Sequence, residues 1–98
     1  MINIEEIIEE NAHHFLEGLK IEYTDDKNAL HIIRLYIKNG KITEQEEVIL
    51  KTQLLDTLKI VGIDIPFILL PGASIILPIL IKVASKYNIQ LIPSAFEH

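Results

Sequence analysis

The chain has 98 residues, no Cys and a formal net charge of −5; that size allows one domain with a single core, and the lack of thiols excludes disulfides, thiolate metal sites and Cys nucleophiles. Its apolar content of 49% and mean hydropathy of +0.29 exclude a disordered chain, and with no Trp and few aromatics the core must be aliphatic, chiefly Ile. The charge is uneven: Glu5, Glu6, Glu9, Glu10, Glu17, Glu22, Asp25 and Asp26 face only Lys20 in the N-terminal quarter, an acidic end that repels phosphates and anionic lipid and sets direct nucleic-acid binding aside.

Met1 to Glu6 carries no basic stretch ahead of an apolar run, so it reads as neither a secretory signal nor a transit peptide, and the cytoplasm is the expected location. The first helix is expected over residues 2–19. Ile4, Ile8, Phe15 and Leu19 recur at helical spacing with Ile7 and Ala12 beside them, and the Glu residues fill the opposite face. Gly18 and the stretch Ile21-Glu22-Tyr23-Thr24 mark its end. A second helix is expected from Asp25, capped by Thr24, with Asp25 and Asp26 where the helix dipole favours negative charge. Its apolar stripe is Leu30, Ile33 and Ile37, flanked by Ala29 and Tyr36, and Asn39-Gly40 stops it.

Thr43 to Glu46 has the form of a capping box, so a third helix should start there and continue to about Val61. Only Gly40-Lys41-Ile42 lies between helices two and three, which predicts an antiparallel hairpin. From Ile65 to Ile81 no residue is charged, and Pro66, Pro71-Gly72 and Pro78 punctuate the run. The expectation is a short apolar turn over 65–70, capped by Asp64, then a fourth helix over 73–87 that Pro78 kinks or whose start it shifts. Residues 75–81 are apolar on every side apart from Pro78, which places this helix at the centre of a core or in lipid. Residues 91–96 should form an extended tail pressed on the bundle. The fold class read from this pattern is all-α: a single domain over 1–98, a small bundle of about four helices with a central, aliphatic, proline-kinked C-terminal helix.

The ordered set Asn39-Gly40-Lys41, Thr43 with Glu46, Asp56 followed by Leu58, Pro71, Leu77-Pro78, Lys82 and Pro93-Ser94-Ala95-Phe96-Glu97 resembles the membrane-region motif of the leucine zipper–EF-hand-containing transmembrane protein family. The likeness covers residues 31–97, about two-thirds of the chain. It implies a shared fold. The family is associated with cation/proton exchange across the inner mitochondrial membrane and with ribosome binding. The ribosome-binding region follows the motif in that family, beyond His98 here. Where the family carries an acidic residue three positions after the first Pro, this chain has Ser74, so exchange lacks the buried carboxylate that would carry the ion. The family's basic third helix is replaced by Glu44-Gln45-Glu46-Glu47.

Other candidate sites are sparse. Glu10-x-x-His13 has the spacing of di-iron helix bundles, with His14 and Glu17 nearby, but such sites need a second pair and further carboxylates. Glu9/His13 and Glu10/His14 are equally i,i+4 pairs on a solvated face. His31 has no carboxylate at ligand spacing, and Ser74, Ser85 and Ser94 suggest no triad. Pro71-Gly72-Ala73-Ser74 lacks the Lys and second Gly of a phosphate loop. Lys82 and Lys86 either snorkel from a buried helix or favour its C-terminus. The function expected is a non-enzymatic helical interaction module without cofactor or metal, self-associating or binding a protein partner through leftover apolar surface. The alternative is a membrane-inserted component of cation/proton homeostasis at the inner membrane; the apolar run falls short of the roughly 20 residues a spanning helix needs.

Overall fold

In the computed structural model, which describes residues 3–21 and 29–91, four α-helices follow one another: α1 (Ile4–Ile21), α2 (Ala29–Asn39), α3 (Glu44–Ile60) and α4 (Ala73–Lys86), with a 3-10 turn at Phe67–Leu69 between the last two. The expected all-α bundle is the observed fold. The Thr24 cap, the Asp25 start of the second helix and the tail beyond Leu91 lie outside the described residues, as do Pro93, Ser94 and Phe96.

Helix α1 starts later than the pattern alone suggests because Asn3 caps it: Asn3 Oδ1 accepts the Glu6 N–H at 3.1 Å, and the Asn3 carbonyl accepts the Ile7 N–H. Ile8, Ala12, Phe15, Leu16 and Leu19 recur along one stripe of α1 and are buried. Helix α1 touches each of the other three and lies most extensively along α4. In α2 the buried face is Ala29, Leu30, Ile32 and Ile33, and Ile37, expected in the stripe, is exposed. Residue 32 replaces it because the helix is turned so that its first half faces the core, while its last turn runs out to Gly40.

Gly40, at φ +78°, ends α2, and its N–H closes on the Tyr36 carbonyl at 2.7 Å. The chain reverses over residues 40–43 into α3. Near the other end of α2 the Ala29 N–H donates to Gln53 Oε1, far along α3, at 2.9 Å. The start of α2 therefore meets the later part of α3, as an antiparallel hairpin requires. Gly62, at φ +88°, closes α3 in a Schellman arrangement, with Ile63 N–H to Leu58 O at 2.8 Å and Gly62 N–H to Lys59 O at 3.0 Å. Asn88, at φ +56°, repeats it after α4, with Ile89 N–H on Ala84 O at 2.8 Å.

The fourth helix is not wrapped on all sides. Ala73, Ile76, Leu77, Leu80, Val83 and Ala84 are buried, but Ser74, Ile75, Pro78, Lys82 and Ser85 form an exposed stripe. Apolar composition all round a helix does not force burial all round when α1 covers mainly one flank. Pro78 sits inside α4 on that exposed stripe, one turn after Ser74. The hydrogen bond its missing N–H cannot make to the Ser74 carbonyl is thus lost on the side that water reaches. No helix is long and apolar enough to cross a membrane, among the described residues.

Candidate interaction site

The motif residues converge where α3 and α4 begin. Thr43 Oγ1 accepts the Glu46 N–H at 3.1 Å, and Glu46 Oε1 accepts the Thr43 N–H at 2.8 Å, completing the expected capping box. The next residue reaches across the fold: Glu47 Oε2 accepts the Ala73 N–H at 2.6 Å. Helix α4 needs this because its own N-cap, Gly72, has no side chain to offer. A carboxylate there satisfies an orphan donor and also meets the positive end of the α4 dipole. Gly72 leaves room for it, since a Cβ at 72 would stand 3.4 Å from Glu47 Oε2. A shallow cavity of about 330 Å³ opens at this junction between Tyr36, Lys41, Thr43, Glu44, Glu47 and Ser74. One donor at each helix N-terminus beside it is already taken from within, and Glu44 and Glu47 give its wall a negative character that opposes an anion.

Glu10 and His13 are not joined into a metal site. Glu10 is exposed and lines a groove of about 410 Å³ between α1 and α4, opposite Lys82, Lys86 and Tyr87. His13 is half-buried, and its ring stacks on Tyr87 with centroids 4.9 Å apart and planes at 22°. The His14 ring centroid lies 4.3 Å from that of His13, with the planes tilted by 33°. No group of three or more potential ligands forms among the described residues. His13 is therefore not on a fully solvated face, as its spacing from Glu9 suggests, but packs from α1 against the end of α4. Lys82 pairs with Glu9 at 3.3 Å, both side chains well exposed, a contact of small energetic weight. Asp56 is exposed and lines a separate cavity of about 320 Å³ with Phe15, Gly18 and Ile60.

The third feature is apolar. Between Pro66 and Leu70 the turn Phe67-Ile68-Leu69 has no buried residue, and Ile68 is 87% exposed. Asp64 does not cap this turn: the capping position is Pro66, with no side-chain bond. The turn leans on α3, where Lys51 Nζ sits 4.4 Å from the centroid of the Phe67 ring. Val48, one turn back on α3, is also exposed. The tip is anchored on both flanks, by buried Ile65 and Leu70, and internally by Leu69 N–H to Pro66 O at 2.9 Å.

The chain matches no protein-family model, and no curated protein or solved structure matches it significantly. Gly40, Lys41 and Thr43 line one junction, with Glu46 bonded to Thr43, whereas Asp56, Pro78 and Lys82 lie elsewhere. The sequence reading missed Glu47, the His13–Tyr87 stack, the hydrogen bond from Arg34 Nε to Leu91 O at 2.6 Å and the bare tip. Glu47 left one signal: Gly72 opens a helix without a local side-chain acceptor, which leaves its first donors to water or to a residue from elsewhere in the chain.

Proposed function

We propose that this chain is a non-enzymatic helical interaction module that binds its partner through the apolar surface at Phe67–Leu69. The observation that carries the reading is Ile68, 87% exposed at the apex of a turn fixed by Pro66 and by buried residues on both sides. A large apolar side chain held bare on an ordered turn, as Ile68 is, adds little to folding, and clusters of exposed apolar side chains are the usual mark of a binding surface. The titratable groups of the motif junction support the same reading, because Glu46 and Glu47 are engaged as helix caps. Those motif residues have structural roles here, so the resemblance to the transmembrane family supports a shared helical junction and not a shared exchange activity. The proposal includes a cytoplasmic protein recovered without detergent.

A photo-crosslinking residue at position 68, tested in cells against one at position 60, examines the reading directly. A crosslink at 68 that disappears with Leu69→Asp, while helical circular dichroism is retained, is the expected result. Absence of any crosslink at 68, or loss of the fold on replacing exposed tip residues, refutes it.

A further inference from the structure

We propose that the occupant of the tip is a second copy of this chain, paired about a two-fold axis passing beside the Phe67–Leu69 turn and Val48 of α3. This rests on the interaction-module reading and adds the partner. Phe67, Ile68, Leu69 and Val48 are 41%, 87%, 56% and 49% exposed, which for side chains of this size leaves on the order of 300–400 Å² of apolar surface bare. That lies within the range of the largest patch a monomer shows, roughly 300–600 Å². Self-pairing removes about twice that area, short of the ~1,200 Å² at the lower end of stable interfaces. The dimer is therefore weak and concentration-dependent.

Charge placement selects a copy of the same chain over other occupants. Glu44, Val48 and Lys51 follow at i, i+4 and i+7 along one flank of α3, the spacing of a helix–helix seam, and the flank ends at Leu55, which is buried in the chain's own core. Glu44 lies one turn before Val48 and Lys51 one turn after it. An antiparallel crossing of two α3 helices at Val48 brings Glu44 of each copy beside Lys51 of the other, so the patch carries its own complementary charges. A separate group of acids, Glu6, Glu9 and Glu10, lines the groove with Lys82 and Lys86. Lys82 is nine residues along α4 from Ala73, about 13 Å of helix rise, which exceeds the ~8 Å screening length at physiological salt. Asp64, Glu44 and Glu47 near the tip outnumber Lys51, so the surface has no positive excess to draw anionic lipid.

Sedimentation velocity on the full chain from about 10 µM to about 1 mM covers the range in which an interface this small associates. The expected result is a monomer–dimer equilibrium whose midpoint Ile68→Asp raises at least about tenfold, the effect of losing a central anchor. Ile60→Asp, 85% exposed but at the far end of α3, leaves the midpoint unchanged. Glu44→Lys and Lys51→Glu each weaken pairing, and the double swap restores it, which a purely structural role cannot do. A monomer at every concentration, a dimer indifferent to Ile68→Asp, or one broken by Ile60→Asp overturns the proposal. Crosslinking at position 68 separates the two levels. A chain-to-chain product supports self-pairing. A product with a different protein only, or Ile68-dependent binding to phospholipid vesicles by a monomer, overturns self-pairing and leaves the interaction module standing. No product and no association removes both.

Discussion

Replacing Glu47 by Ala tests whether the α3–α4 junction is held by the carboxylate that reaches Ala73. The wild-type bond is charge-assisted, 2.6 Å long and partly buried. Hydrogen bonds to charged groups contribute about 1.5–3 kcal/mol, and a carboxylate on a helix dipole adds about 0.3–1 kcal/mol at exposed sites. The Glu47 side chain is only half-buried, so water can reach the freed Ala73 N–H, and the cost should fall in the range of a lost N-cap, about 1–2 kcal/mol. For a domain of this size that lowers the thermal midpoint by roughly 4–16 °C. Glu47→Gln keeps an acceptor and loses the charge, so it should cost about half as much. The control is Glu44→Ala, which removes an exposed first-turn carboxylate from the same helix; it should cost no more than about 0.5 kcal/mol.

The decisive comparison adds Gly72→Ser. Gly72 has φ −73°, which any residue adopts, and the new hydroxyl is a local cap for α4. With Glu47 present the two acceptors compete, and the Cβ stands 3.4 Å from the carboxylate, so the effect should be near zero. With Glu47→Ala it should recover about 1 kcal/mol. Urea unfolding followed by circular dichroism measures all four species. If Glu47→Ala costs no more than Glu44→Ala, or if Gly72→Ser acts equally in both backgrounds, the cross-fold cap has no energetic role.

Three further substitutions probe the packing of α3, its C-terminal stop and the proline of α4. Leu54, fully buried on α3, should cost about 2–5 kcal/mol on truncation to Ala, whereas Ile60→Ala, at 85% exposure, should stay within about 0.5 kcal/mol; equal losses would overturn the assigned face of α3. Gly62→Ala should cost about 1–2 kcal/mol from its positive φ alone, since no atom lies within 4 Å of the added Cβ, and Gly62→Asn should cost less, as thermal melts can check. Pro78→Ala restores a donor for the Ser74 carbonyl on the exposed stripe of α4 and should stabilise by on the order of 1 kcal/mol after the unfolded chain's gain in freedom; destabilisation in urea titration would show that the packing on α1 depends on the proline.

Local signals carried most of the fold. Thr43 to Glu46 announces a helix start through two reciprocal bonds that need only four residues, and the box forms as read. Gly40 announces a stop through its freedom at positive φ, and the stop is there. What the sequence hid is everything that depends on which elements meet. Ile32 and Ile37 both suit a buried stripe, and only the rotation of α2 against its neighbours decides between them. The aliphatic run of residues 75–81 predicts burial, but α1 covers one flank and leaves Ile75 and Pro78 outside. Glu47 was invisible as a cap because its acceptor role joins residues 26 positions apart. His13 looked solvated because Tyr87 is 74 residues away along the chain.

The tip and the junction are linked by this geometry. Leu70 is buried, and three residues later Ala73 is tied to Glu47, while Lys51, one turn along α3 from Glu47, covers the Phe67 ring. The turn is thus bracketed on the same helix face by a hydrogen bond on one side and a cation–aromatic contact on the other. An apolar turn free to move would fold its isoleucine back onto the bundle, because burying that side chain gains roughly 1.5–3 kcal/mol. Ile68 stays outside because the two brackets and the flanking prolines fix the backbone in a direction from which the core is out of reach. Loosening the junction should therefore cost exposure as well as stability. In Glu47→Ala, a solvent-sensitive probe at position 68 should become more shielded, and association through the tip should weaken even well below the melting temperature. A variant that is less stable yet pairs as strongly as the wild type would show that the tip is positioned independently of the α4 cap.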